Sequence, residues 1–147
     1  MISNYAANKV LQSICGQTQY CNLATSSFLG LSSTQPQANG QGVTEPSGNG
    51  YARKQIGQYQ NSAGWLMNSP SNGAVTNKEE IHFNEAEGAW GELGYVCIFD
   101  AATNGNLLAW GQIGSYSEGG EFTPSTINPT ANTVPLIKVG NIKISIT

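Results

Sequence analysis

The sequence predicts a mainly-β fold: an antiparallel β-sandwich of about seven short strands with one N-terminal α-helix. Three observations predict it. Only one early stretch, Tyr5 to Cys15, combines helical apolar spacing with freedom from Gly and Pro. After it, short apolar runs recur between clusters of Gly, Asn, Ser and Pro. Two of those runs flank an Asn-Gly pair, which supplies the positive φ angles of a hairpin turn. A chain of 147 residues is read as one domain over residues 1–147. Within it the helix covers about 3–15 and the sandwich about 23–147.

Ser3 or Asn4 can cap the helix, and Gly16 stands where a helix ends in the left-handed conformation. Tyr5, Val10, Leu11 and Ile14 make a modest apolar stripe. A lone helix of three turns does not persist in water, so this one must dock on a sheet or a partner. Ser26 to Ser32 is a short apolar run, followed by a polar loop from Ser33 to Asn49. Tyr51 to Ile56 reads as a strand with Tyr51, Arg53 and Gln55 on one face. Asn68 to Thr76 reads as loop, and Glu79 to Asn84 alternates through Ile81 and Phe83.

The hairpin signal lies between Gly91 and Gln112. Leu93–Phe99 and Leu107–Ile113 flank the segment from Asp100 to Asn106, with Asn104 and Gly105 as turn residues. At the end of the chain Ile142, Ile144 and Ile146 alternate with polar residues from Asn141 to Thr147, one face buried and one wet. Val134 to Lys138 is expected to pair with that strand across Val139-Gly140.

Charged residues are 10% of the chain, against about 25% in an ordinary soluble domain. Gly, Asn, Ser, Thr and Gln take their place, as in secreted carbohydrate-binding domains and virion proteins. A net charge of −3, with Lys9, Arg53, Lys54, Lys78, Lys138 and Lys143 scattered, excludes the basic patch that nucleic acid requires. No apolar stretch reaches the ~18 residues of a membrane span. No apolar run follows Lys9, so no signal peptide is expected and synthesis is expected in a cytoplasm. Cys97 lies in the apolar run Tyr95 to Phe99 and reads as a small buried hydrophobe. Whether Cys15 and Cys21 pair is open.

Catalysis has little to draw on. The chain holds one His (His82), one Asp (Asp100) and one Arg (Arg53), and no Gly-x-Ser-x-Gly elbow. On a strand, His82 points away from the face of Ile81 and Phe83. Glu79, Glu80, Glu85 and Glu87 bracket that strand, but no turn gathers them as calcium ligands, so no metal is expected. Neither phosphate-binding glycine motif occurs. No catalytic residue, cofactor or metal site is assigned, and the protein is expected not to be an enzyme.

Trp90 and Trp110 each sit between Ala and Gly beside strand ends, which suits rings packed over a neighbouring backbone in the core or an interface. Tyr51 joins them as a packing aromatic. Trp65, in a loop, is the candidate for stacking on a ligand. Glu45 and Arg53 are expected to form a structural ion pair across Gly48-Asn49-Gly50 that pins the preceding loop.

Several segments resemble a family of small tailed-phage structural proteins usually labelled phage tail fibre proteins. They are Ser3-Asn4-Tyr5, Leu29 to Pro36, Thr44 to Arg53, Asn77 to Phe83, Trp90-Gly91, Phe99 to Gly111 and Gly140 to Thr147. The longest piece, Phe99 to Gly111, and the Gly50-Tyr51-Ala52-Arg53 segment carry most of the likeness. The loop from Tyr116 to Thr133 departs from the pattern, being longer and rich in Thr and Pro, and is expected to reach a neighbouring subunit. The resemblance implies a virion component, tail-fibre-like or a capsid or tail decoration subunit, that works by assembly. Implied partners are other virion proteins of capsid or tail and copies of the chain itself, with a trimer expected; neither nucleic acid nor membrane is among them. The competing reading is a carbohydrate-binding module that attaches to a host-surface glycan.

Overall fold

A computed structural model describes residues 1–19, 21 and 23–146. The fold is mainly β and antiparallel with one N-terminal helix, as the sequence predicts. Helix α1 spans Asn4–Ile14. The Ser3 hydroxyl accepts a hydrogen bond from Ala6 N at 3.2 Å, satisfying one of the free amides of the first turn. At the other end Gly16 adopts φ +68°. Gln17 N donates to Gln12 O at 2.9 Å and Gly16 N to Ser13 O at 3.2 Å, the paired closure that a left-handed residue permits.

The described residues form ten short strands rather than about seven. Strands β1 (Ser26–Ser32), β2 (Lys54–Gln58), β5 (Tyr95–Phe99) and β6 (Leu107–Gln112) make one sheet in the order β2-β1-β5-β6. The remaining strands form three two-stranded ribbons: β3 (Ala74–Thr76) with β10 (Lys143–Ser145), β4 (Ile81–His82) with β9 (Leu136–Ile137), and β7 (Gly114–Tyr116) with β8 (Phe122–Pro124). The β5–β6 hairpin forms around the Asn-Gly turn as expected, Cys97 facing Trp110 and Ile98 facing Ala109.

The sheet is apolar on both faces, because alternate residues of a strand point to opposite sides. Leu29 and Leu31 of β1, Ile98 of β5 and Leu108 of β6 join the larger core with Ile81, Phe83, Trp90, Leu93 and Ile142. On the other face Cys97, Phe99, Leu107 and Trp110 form a second cluster against Val43. Val43 belongs to the 33–49 loop, which is laid over this face and bonded to it. Ser33 N donates to Thr44 O at 3.0 Å, and the buried Ser32 hydroxyl accepts from Thr44 N at 2.9 Å. The same loop meets the helix start, where Asn4 N donates to Ala38 O at 2.8 Å.

The free edge of β6 is covered by the residues before the helix. Trp110 N donates to Met1 O at 2.8 Å and Ser3 N to Leu108 O at 2.9 Å. This tether docks α1 together with Tyr5, the one residue of the expected apolar stripe that packs against the core. Ala6 is its buried residue, whereas Leu11 is 55% and Ile14 74% exposed.

The end of the chain corrects the sequence reading. Val134–Lys138 does not pair with the last strand. In β9, Ile137 lies opposite Ile81 and Leu136 opposite His82; in β10, Ile144 lies opposite Val75. Asn77 is the physical reason. Its fully buried side chain donates from Nδ2 to Glu79 O at 2.8 Å and Lys138 O at 2.9 Å. Its Oδ1 accepts from Ile142 N at 2.9 Å. The carboxamide thus occupies the mouth of the 138–141 turn and sends the two strands to different partners. Ile142 is buried as expected, but Ile146 is 71% exposed, so burial fades along the strand; its final residue, Thr147, lies outside the described residues.

Two stretches read as loop hold strands. Asn72 and Gly73 have φ +50° and +72°, and Ser71 and Ala74 exchange both backbone hydrogen bonds, at 2.8 and 3.0 Å. This is a two-residue hairpin turn, and it places β3 inside the supposed 68–76 loop. β7, which ends at Tyr116, and β8, inside 116–133, form a hairpin whose Tyr116 is 75% exposed and packs on Phe122 at 5.1 Å. The rest of that segment is bonded to its own body: Leu93 pairs with Ile127 and Ala86 with Thr133, and Trp90 N donates to Pro129 O at 3.1 Å. Cys15 and Cys21 are free and exposed, and Cys97 is buried.

Candidate functional site

The most densely bonded polar cluster joins the 33–49 loop, the start of β2 and the β5–β6 turn. Arg53 Nη2 lies 2.6 Å from Glu45 Oε2, and Nε donates to Oε1 and Oε2 at 3.0 and 3.1 Å. Nη1 donates to the carbonyls of Ala101 and Asn104 at 2.8 and 2.7 Å. The guanidinium lies over the Phe99 ring, 3.4 Å from its centroid, so both its edges and its face are in use. Tyr51 completes the cluster. Its hydroxyl donates to Glu45 Oε1 at 2.7 Å and accepts from Leu31 N at 2.9 Å. Burial, then the Glu45 carboxylate it bonds to, pushes that hydroxyl far above its ordinary pKa, so it is a permanent donor.

Gly30 makes room for all of this. A Cβ there would stand 2.7 Å from Glu45 Oε1, 3.0 Å from Phe99 and 3.1 Å from the Tyr51 hydroxyl. The glycine lets a carboxylate and two rings lie directly on the central strand.

The Asp100–Asn106 turn that receives Arg53 is internally bonded. Asp100 Oδ1 accepts from Asn106 N at 2.6 Å and Oδ2 from Asn106 Nδ2 at 2.8 Å. Asn104 and Gly105 adopt φ +53° and +73°. The resulting turn presents two backbone carbonyls inward, and a cation is what such a pair binds.

The Gly48-Asn49-Gly50 turn has three consecutive left-handed residues, φ +74°, +51° and +77°, a run tolerable only to Gly and Asn. It brings Asn49 O within 2.7 Å of Trp90 Nε1 and Asn49 Nδ2 within 2.9 Å of Ala89 O. Trp90 in turn meets Tyr51 edge-to-face at 5.2 Å and Phe83 at 6.3 Å. Trp110 is buried in the second cluster.

The residues singled out in the sequence therefore fall into two places. Glu45, Tyr51, Arg53, Trp90, Asp100, Asn104 and Gly105 form one connected assembly, to which sequence reasoning did not add Phe99, Gly30 or Asn49. Only the Gly-Asn-Gly spelling signalled Asn49. Trp65 stands apart, 39% exposed, with its Nε1 donating to Gln58 O at 2.8 Å. His82 is exposed, 3.2 Å from Glu80, and its neighbours Ile81 and Phe83 are buried. Among the described residues no group of three His, Cys, Asp or Glu side chains is placed to hold a metal, and no helix is long and apolar enough to cross a membrane.

The arrangement is a β-rich body whose densely bonded polar cluster is made of its own side chains and carbonyls. The chain belongs to the family described as podophage GP4 fiber I protein gp80, whose family model matches residues 1–131. No curated protein matches the sequence. The family makes the protein a bacteriophage tail-fibre structural protein, with other virion proteins as partners and the virion as its location.

Proposed function

We propose that the protein is a non-enzymatic assembly subunit, in a tail fibre or as a decoration of capsid or tail, that associates with copies of itself as a trimer. The observation that carries this reading is the bare face of α1. The helix is held by its N-terminal tether, Tyr5 and Ala6, yet Leu11 and Ile14 in its last turns are 55% and 74% exposed. Apolar side chains left in water on a docked element favour burial against another protein. The clamp around Arg53 supports the reading in a second way. It holds the 33–49 loop and the β5–β6 turn in one shape, and a rigid surface loses less entropy when it docks.

Leu11→Lys and Ile14→Lys, made together, test the assignment. The doubly substituted chain should keep its circular dichroism and melting temperature, elute as a monomer by light scattering, and fail to enter particles assembled in infected cells. Normal self-association and normal incorporation of that variant would remove the helix face as the assembly surface.

A further inference from the structure

We propose that the β7–β8 hairpin of one copy docks on the lysine-bearing turn at residues 138–143 of a second copy. The proposal rests on the reading that copies of the chain associate, and it names a contact separate from the face of α1. Scattered in the sequence, three of the five lysines are gathered by the fold around buried Asn77. Lys78 follows Asn77 directly. The Lys138 carbonyl accepts from Asn77 Nδ2 at 2.9 Å. Lys143 follows Ile142, whose amide donates to Asn77 Oδ1 at 2.9 Å, and lies opposite Thr76. Asn77 thus fixes the backbone at all three positions.

All three lysines are exposed. Among the described residues the ion pairs are those of Arg53 with Glu45 and of His82 with Glu80, so no carboxylate among them is paired with these lysines. Val139, at the apex of the turn, is 56% exposed, and Leu136 is 44% exposed. Ile137 packs toward the core, so alternation along β9 puts Leu136 and Lys138 together on the outer side. The surface is therefore apolar and cationic on a chain of net charge −3, and no residue after Glu121 is acidic. An exposed apolar patch ringed by one sign of charge fits a partner that is apolar and of the opposite sign. Three lysines match a pair of carboxylates rather than the long run of charge on a nucleic acid.

The β7–β8 hairpin carries that chemistry. Phe122 lies over Gly114, where a Cβ would run into its ring. Tyr116 leans on Phe122 at 5.1 Å yet stays 75% exposed, and aromatic side chains are frequent anchors of protein interfaces. Glu118 and Glu121 stand at the turn beyond them, both exposed. Ser117 N donates to Glu121 O and Gly120 N to Ser117 O, each at 2.9 Å, and Glu121 N donates to the Ser117 hydroxyl at 3.1 Å. A hairpin already held in shape loses less entropy on docking. Hairpin and lysine turn are different surfaces of one chain, so each copy offers one and receives the other. Such a contact repeats from copy to copy and closes as a ring, and a trimer is a ring of three.

The test reverses charge on one surface, on the other, and then on both, in the intact chain, with association read by light scattering over a range of concentrations. Lys138→Glu/Lys143→Glu and Glu118→Lys/Glu121→Lys should each weaken association about tenfold or more, as repulsion replaces attraction. Melting temperatures should not change, since all four side chains are exposed. The chain carrying all four substitutions should associate within about threefold of the parent, because its two surfaces are again of opposite sign. A parent that stays monomeric overturns self-association and this contact with it. A parent that associates, with both reversed pairs matching it, overturns this contact alone. Failure of the four substitutions together to restore association overturns it too, since the two surfaces then meet different partners. Loss of particle incorporation by Lys138→Glu/Lys143→Glu without loss of self-association assigns the lysine turn to another virion protein and overturns it as well.

Discussion

Substituting Arg53 separates charge from geometry in the clamp. Arg53 and Glu45 have side chains 8% and 21% exposed, and removing one partner of a buried pair costs about 3–5 kcal/mol because the other is left without compensation. Glu45 keeps the Tyr51 hydroxyl at 2.7 Å and some contact with water, so the lower end applies, about 3 kcal/mol for Arg53→Ala. The Ala101 and Asn104 carbonyls, held at 2.8 and 2.7 Å, lose their donor but can turn to solvent at the turn's surface. Arg53→Lys retains the charge but cannot make the two-edged fork to Glu45, reach both carbonyls and stack on Phe99 at once. It should still cost about 1–2 kcal/mol. For a chain of this size that is a drop of about 10 °C in melting temperature for the alanine variant and about half of that for lysine. Urea titrations followed by near-ultraviolet circular dichroism would read both. A lysine variant as stable as the parent would refute the geometric argument, and an alanine variant within about 0.5 kcal/mol would refute the clamp itself.

Two further outcomes follow from buried groups. Asn77→Ala should destabilise the chain by about 3 kcal/mol, since three buried hydrogen bonds vanish and their backbone partners stay behind. The sharper readout is hydrogen exchange at the Ile142 amide, which should lose protection; unchanged protection there would show that Asn77 does not hold the 138–141 turn. Burial pushes the Cys97 thiol from about 9 up to about 12. Between those values the unfolded chain binds fewer protons than the folded one, so stability must fall as pH rises. Cys97→Ala should flatten that decline, and a thiol reagent should label Cys15 and Cys21 in the native protein but Cys97 only after unfolding; rapid native labelling of three thiols would contradict it.

Much of the fold was legible because local rules decided it. The Ser3 cap and Gly16 end delimit α1, and Asn104-Gly105 makes the β5–β6 turn, since few residues tolerate positive φ. The same spelling at Asn72-Gly73 makes a hairpin too, but the apolar runs beside it are too short to signal strands. The apolar stripe of α1 was legible only in part: Tyr5 packs on the core, whereas Leu11 and Ile14 stay exposed. Periodicity shows that a helix has an apolar face, but not whether this chain or another protein covers it.

The pairing of β4 with β9 and of β3 with β10 could not be read locally. Val134–Lys138 and Asn141–Thr147 are close in sequence and both strand-like, so a hairpin is the nearest solution in entropy of loop closure. A buried Asn77, distant in sequence and ordinary in spelling, changes the answer by offering three hydrogen bonds at the turn.

By itself, the sequence determined the class: a chain with few charges, many turn formers and alternating apolar runs forms short antiparallel strands, and its one early Gly- and Pro-free segment forms the helix. It also marked Glu45 and Arg53 as a pair, because they are oppositely charged groups a short turn apart. Only the tertiary structure decided what that pair acts upon. Phe99 under the guanidinium, the Ala101 and Asn104 carbonyls at its tips and the empty Cβ position of Gly30 come from separate strands. They meet because the sheet order β2-β1-β5-β6 sets their strands side by side, and contacts made across a sheet depend on register, which no single segment contains.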